Sequence, residues 1–329
     1  MPDRSSHPIH TVVITHQGMK PYLEPCVRRA TVAAGGGRVV LLGDAANAGV
    51  GACEHHRIDD PSLQADLDEF RGMYRQIGQS QEFLPERFWI ERWFLIRNFL
   101  RRENLDGCLA IDSDVLLFGD VGTESLRFAP YAMTFGRWDA VRVVPHCNFI
   151  RGLSGLEDFC AYVLDVYREP RRLARLTDIN RKKLGAAWIS DMSLLASWGA
   201  TSGFPVGFLE DTLADGVGFD SCLDATHGYV ACGYLPGILR QWKRIVFRDG
   251  CPYATIRGSG HDVPMRCLHY HGKMKALINR HARCQDDDWG AAGLMLMGKA
   301  AEYPKKCRLL FKNYVRPWLP GAAVSPGSK

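Results

Sequence analysis

Residues 107–120, GCLAIDSDVLLFGD, set two aspartates, Asp112 and Asp114, one residue apart at the end of an apolar run. A short, unbroken apolar run such as GCLAI reads as a strand covered on both faces, the kind found in parallel sheets. Upstream, ERFWIERWFLIRNFLRRE (86–103) carries apolar residues at 90, 93, 94, 96, 99 and 100, which is helical spacing. Further upstream, IHTVVIT (9–15) reads as a first strand, YLEPCVRRATVAA (22–34) as a helix and RVVLLGD (38–44) as a second strand. Strand, helix and strand at this spacing predict an α/β chain with a parallel sheet. Downstream, YAMTFG (131–136) and HCNFIRG (146–152) read as strands and GLEDFCAYVLDVYRE (155–169) as a helix. Residues 62–83 read as a polar helix, and ISDMSLLASWG (189–199) as a helix stopped by Gly199. Residues 200–265 are rich in Gly, Pro and Asp, which predicts a loop-rich acceptor side.

The 329 residues are 46% hydrophobic and 23% charged, with no apolar run of transmembrane length and no signal-peptide pattern at the N-terminus. The expectation is a cytoplasmic protein. Its 11 cysteines are spread so that no two lie closer than ten residues, which excludes CxxC spacing and favours buried free thiols. The formal charge of +5 is concentrated in one place. Lys299, Lys305, Lys306, Arg308, Lys312 and Arg316 face a single Glu302, so the rest of the chain is balanced and nucleic acid is not an expected partner. The basic side chains alternate with Leu309, Leu310, Phe311, Tyr314 and Trp318, a composition suited to peripheral contact between 299–318 and an anionic membrane face.

In open α/β sheets, ligands bind beyond the carboxyl ends of strands, where Asp112 and Asp114 fall. Side chains at i and i+2 of an extended segment share a face, and two carboxylates that close together remain ionised when a cation lies between them. A hard divalent metal meets that need, while turn-forming, helix-capping aspartates are the other reading. A second stretch, RCLHYHGKMKALI (266–278), gathers His269, His271, Gly272, Lys273 and Lys275 within seven positions. An imidazole for a metal, a glycine that admits a phosphate to the backbone and two ammonium groups suit a metal–diphosphate complex. An exposed basic turn is the alternative.

The spacing His269-x-x-Gly272-x-x-Lys275 resembles the HxxGxxK motif of retaining glycosyltransferases related to glycogenin and to bacterial lipopolysaccharide galactosyl- and glucosyltransferases (family 8-like). Asp112-Ser113-Asp114 resembles the DxD of that family. The block from Arg92 into this motif resembles its helix–strand lead-in, and HCNFI and ISDMSLL occur in the family's order. Ala276-Leu277 stand where the family often has Pro-Trp. The resemblance covers residues 10–280 and implies a single nucleotide-binding domain of the GT-A type over 1–280, with a doubly wound, mostly parallel sheet. After residue 281 the pattern weakens, and 281–329 reads as a basic helical appendage.

It further implies a metal-dependent hexosyltransferase moving sugar from UDP to an acceptor hydroxyl, with retention, in bacterial cell-surface glycan synthesis. The cofactor would be Mn2+ or Mg2+ and the acceptor a glycan or a lipid-linked glycan. Asp112, Asp114 and His269 would hold the metal. Asp112 and Ser113 would contact the nucleotide, and Gly272 and Lys275 the diphosphate. Thr15, His16 and Gln17 would face the uridine, although that turn also reads as an ordinary strand end. Arg92 would contact the nucleotide, with Arg97 as its substitute in another helix register. Asn148 and Asp191 would face the sugar as catalytic residues, Asp191 being alternatively a helix N-cap beside Ser190. Two rival classes share parts of this pattern. One is a phosphatase of the haloacid dehalogenase type, the other a non-catalytic sugar- or lipid-binding module.

Overall fold

The computed structural model describes residues 7–78, 85–232, 241–287 and 291–295. The chain opens with β1 (Val12–Thr15), α1 (Leu23–Ala33), β2 (Val39–Gly43), β3 (Glu54–Arg57) and α2 (Leu67–Met73). Next come α3 (Pro85–Arg102), β4 (Gly107–Ile111), β5 (Val115–Leu117), α4 (Val121–Arg127), β6 (Met133–Arg137), β7 (Val143–Val144) and β8 (Cys147–Arg151). Three helices follow, α5 (Leu153–Arg168), α6 (Pro170–Leu184) and α7 (Asp191–Thr201). The remainder is β9 (Val206–Phe208), β10 (Gly218–Phe219), β11 (Ile245–Arg248), β12 (Cys251–Thr255), β13 (Asp262–His269) and α8 (Ile278–His281).

The central sheet runs β3-β2-β1-β4-β8, parallel except for the antiparallel β8. Alternating side chains feed two cores. Val13, Val40 and Leu42 pack under α3 and α5, while Val12, Ile14 and Leu41 pack under α1. Helix α1 buries Leu23, Cys26, Val27, Ala30 and Ala33, a single stripe at helical spacing. Helix α3 is buried from Ile90 to Leu100, so its charges need partners inside the protein. Glu91 meets Arg71 at 3.0 Å and Arg97 meets Asp66 at 2.9 Å. The α/β architecture with a mostly parallel, doubly wound sheet is the one the sequence predicts.

A second sheet, β10-β13-β12-β11, takes β5 onto the Cys267–His269 end of β13, beyond the residues paired with β12, and packs over a third core. The two sheets are joined through the short connection Asp112–Asp114 between β4 and β5. The described residues that directly follow α8, as far as Asp287, are tied to this sheet. Tyr270 Oη lies 2.8 Å from His281 Nδ1, His281 Nε2 lies 3.0 Å from Asp287 Oδ1, and Ile245 N–H donates to Asp287 Oδ2 at 2.9 Å.

Two sequence expectations fail. Residues 62–83 are not one helix; their described part holds the seven-residue α2, anchored by Leu67 and Phe70. Helix α7 runs past Gly199 to Thr201, and the left-handed glycine beyond its end is Gly203, with φ +77°. The basic segment 299–318, together with the rest of 296–329, lies outside the described residues.

Candidate metal and nucleotide site

The two aspartates sit where the chain leaves one sheet for the other. Asp112 N–H donates to His146 O at 2.9 Å, and Val115 N–H donates to Asp112 O at 3.1 Å, closing a tight turn at the carboxyl end of β4. Beyond it, β5 pairs antiparallel with β13 in a register that sets Val115 opposite His269. That register brings His269 beside Asp114, 155 residues earlier in the chain. One ligand atom each from Asp112, Asp114 and His269 lie within 4.8 Å of one another. Neither aspartate caps a helix; that role falls to Asp120, whose Oδ1 accepts from Thr123 N–H at 2.7 Å.

His269 is held in one orientation. Its Nδ1–H donates to Ser221 O at 2.7 Å, because a carbonyl only accepts, and Nε2 is left facing Asp114 Oδ1 at 3.6 Å. Its backbone N–H donates to Asp220 Oδ2 at 3.0 Å, and Asp220 in turn is bonded to the buried Lys243. The ring of His146 stacks on that of His269, centroids 4.7 Å apart and planes 12° apart. Burial, and secondarily His269, lower the pKa of His146 to about 3, so it packs as a neutral ring. Two carboxylates and an oriented imidazole form a hard-to-borderline donor set that fits a divalent cation.

On one flank, Lys275 Nζ lies 2.9 Å from Asp114 Oδ2 and 4.8 Å from the Tyr22 ring centroid. Burial would lower its pKa, but Asp114 outweighs burial and raises it, so the side chain is a firm cation. Lys275 rides on the 3₁₀ turn Gly272–Leu277, which opens with Gly272 at φ +55°. A Cβ there would meet no atom within 4 Å, so the left-handed backbone, and not crowding, is what favours glycine.

On the other flank, Arg92 bridges two acids. Its Nη1 bonds to Asp112 Oδ1, and its Nη2 donates to Asp191 Oδ2 at 2.7 Å. Burial opposes its charge, but Asp112 and Asp191 outweigh that and raise its pKa. Asp191 also accepts from Trp93 Nε1 at 3.4 Å; burial raises its pKa, with Arg92 opposing. Asp191 is the first residue of α7 and Ser190 is the N-cap, its N–H donating to Ser193 Oγ at 3.1 Å. A cavity of about 10 Å3, room for one water, lies between Arg92, Asp112 and Thr15. Arg97 faces away, toward Asp66 and the Ala65 carbonyl, so Arg92 is the arginine at the aspartates.

His16 Nδ1 and Ser113 Oγ are 2.8 Å apart, tying the end of β1 to the aspartate turn. Burial lowers the pKa of His16 to about 4, against Asp114 and Asp44. Gln17 is exposed at the same strand end. Asn148 is fully buried on β8, opposite Ala110, and neither side-chain polar atom has a partner among the described residues. Sequence reasoning missed His146, Ser221, Asp220, Trp93 and Tyr22. Only His146 carried a signal, standing two residues before Asn148 and therefore on the same side of the strand line.

No family model matches the sequence, and no curated protein matches it either. Among solved structures, the chain is similar to the PaToxG glycosyltransferase at 9% identity, over 65% of this chain and 77% of that one, with a TM-score of 0.37. It is similar to mouse xyloside xylosyltransferase 1 at 10% identity, over 61% and 85%, with a TM-score of 0.43. It is similar to the glycosyltransferase GlyE of Streptococcus pneumoniae at 13% identity, over 67% and 48%, with a TM-score of 0.31. All three carry glycosyltransferase names. Likeness at this level leaves the identity of this chain to its own site.

Proposed function

We propose that this protein is a metal-dependent glycosyltransferase of the GT-A type that moves a hexose from a UDP-sugar to an acceptor hydroxyl. The observation that carries this reading is the meeting of Asp112, Asp114 and His269 within 4.8 Å, with Lys275 bonded to Asp114, beyond the carboxyl end of β4. Mn2+ or Mg2+ bound there supplies neutralising charge for a diphosphate leaving group.

The protein's own side chains divide the remaining work. Lys275 offers an ammonium, about one-third exposed, to the diphosphate oxygens, and the Gly272 backbone admits them closely. Arg92 fixes Asp112 and Asp191 relative to each other, so both carboxylates keep one orientation when a donor binds. Asp191 and the unpartnered amide of Asn148 are the polar groups assigned to the sugar, with Thr15, His16, Gln17 and Ser113 on the nucleotide side. Retention of configuration and a bacterial cell-surface acceptor follow from the sequence resemblance. The same resemblance supports a catalytic unit over 1–280, and the composition of the tail supports a basic appendage over 281–329. Attachment of 299–318 to an anionic membrane is part of the proposal, and salt-sensitive sedimentation with acidic liposomes tests it. Among the described residues no helix is long and apolar enough to cross a membrane. A phosphatase reading needs Asp112 free to attack phosphorus, and here its Oδ1 is taken by Arg92.

Screening nucleotide sugars for metal-dependent hydrolysis tests the function. Asp114→Ala should abolish the metal-dependent turnover while leaving the melting transition in place. Undiminished turnover in that variant would sink the metal assignment.

A further inference from the structure

A cleft of about 370 Å3 opens between α1 and α8, on a face whose lining includes none of Asp112, Asp114, His269 or Lys275. Glu24, Arg28, Arg29, Asn279 and Arg283 line it. Three guanidinium groups thus share one concavity with one carboxylate, and Glu24 is already bonded to Arg28 at 2.6 Å. Arg283 makes no ion pair among the described residues and is exposed to the cleft.

Arg29 is the unusual member. It is half-buried, its Nε donates to Leu117 O at 3.1 Å, and its guanidinium carbon lies 4.4 Å from the Phe118 ring centroid. Burial lowers its pKa, and the groups that oppose this are Cys284, Tyr270 and Cys251, none of them a carboxylate. A guanidinium withdrawn from water normally has an anion on it. Here the carbonyl takes Nε and the aromatic ring lies against the guanidinium carbon, while Nη1 and Nη2 have no protein acceptor among the described residues. Arg283 and the Asn279 amide line the same cleft, so Arg29 shares it with a second guanidinium and an amide, donor types that suit a tetrahedral oxyanion.

We propose that this cleft is a second anion site, separate from the donor site, that takes a phosphate group. The recognising chemistry is the same for a phosphate free in solution and for one borne on the head group of an acidic lipid. The proposal does not depend on the glycosyltransferase reading, because no residue of the cleft is assigned to the donor.

Calorimetric titration of the full, metal-free chain with inorganic phosphate, at constant ionic strength in chloride, tests the cleft. Saturable binding is expected, weakened about tenfold by Arg29→Gln and by Arg283→Gln, each of which removes a charge-assisted contact. Arg283 is exposed, so its variant should melt as the wild type does, whatever becomes of Arg29→Gln. UDP binding in the presence of Mn2+ should be unchanged in Arg283→Gln, which keeps the two sites distinguishable. A second arm uses vesicles of phosphatidylcholine with and without phosphatidic acid. Sedimentation that requires phosphatidic acid and falls in Arg283→Gln assigns the phosphate to lipid; phosphate binding without it assigns a soluble ligand. The proposal is overturned if the wild type binds neither probe, or if Arg283→Gln binds both as the wild type does.

Discussion

Lys275 is the ammonium bonded to the aspartate turn. It lies 2.9 Å from Asp114 Oδ2 with its ammonium over the Tyr22 ring, and on the proposed reading it turns to a diphosphate without rebuilding the loop. Lys275→Ala should weaken UDP binding by about 1.5–3 kcal/mol, the worth of a charged hydrogen bond, and leave uridine binding alone. Calorimetry with both ligands measures it; an equal loss for uridine would make Lys275 a structural residue. At this scale the sequence showed what lies close along the chain. Asp112 with Asp114, and His269 with Gly272 and Lys275, are visible as spacings because each set sits on one turn. Asp220 and Ser221 were invisible, since they reach His269 from 48 or 49 residues away through a strand pairing that no local pattern encodes. Arg92 was separable from Arg97 only once α3 had a face: position 92 looks to the strand ends and position 97 to the 61–67 segment.

Among the elements, β13 has the largest share in building the site, because its pairing with β5 joins His269 to the aspartate turn. The end of β13 is anchored by the buried pair Asp220–Lys243, with side chains 0% and 5% exposed. Asp220 Oδ2 also accepts the His269 N–H. A buried ion pair adds little net stability as a whole, but removing one member leaves the other charge stranded. Lys243→Met should therefore lose about 3–5 kcal/mol, and adding Asp220→Asn should recover most of that loss while keeping an oxygen for His269. Urea midpoints of the single and double variants decide, and equal midpoints would count against charge as the cause. The strands themselves were legible because buried strands are short apolar runs. The polar stretch 62–83 misled for the converse reason: its few buried residues, Leu63, Leu67 and Phe70, anchor only a brief 3₁₀ turn and the seven residues of α2. Gly199 misled because a glycine ends a helix only in the left-handed region, and that conformation belongs to Gly203.

Across the whole molecule, burial of titratable groups sets how stability responds to pH. His16 and His146 are held neutral, with pKa values lowered from 6.5 to about 4 and about 3, each mainly by burial. Below pH 6.5 the unfolded chain takes up protons that the folded chain refuses, so these two groups remove stability as pH falls through that window. Glu86 acts in the opposite direction. It is fully buried near the start of α3, neither carboxyl oxygen has a partner among the described residues, and burial, then Asp191, raises its pKa from 4.5 to about 8. Between those values the folded chain holds a proton that the unfolded chain has lost, so stability falls as pH rises from 4.5 to about 8. The windows overlap below pH 6.5 and partly cancel there, while above it the Glu86 slope acts without them, at no more than about 1.4 kcal/mol per pH unit for one proton. Glu86→Gln, which keeps the shape and cannot ionise, should flatten the decline between pH 6.5 and 8 and melt above the wild type at the alkaline end. Melting curves of both proteins across that range measure it. If the two decline in parallel, the alkaline loss comes from another group, and Glu86 is not held protonated in the folded protein.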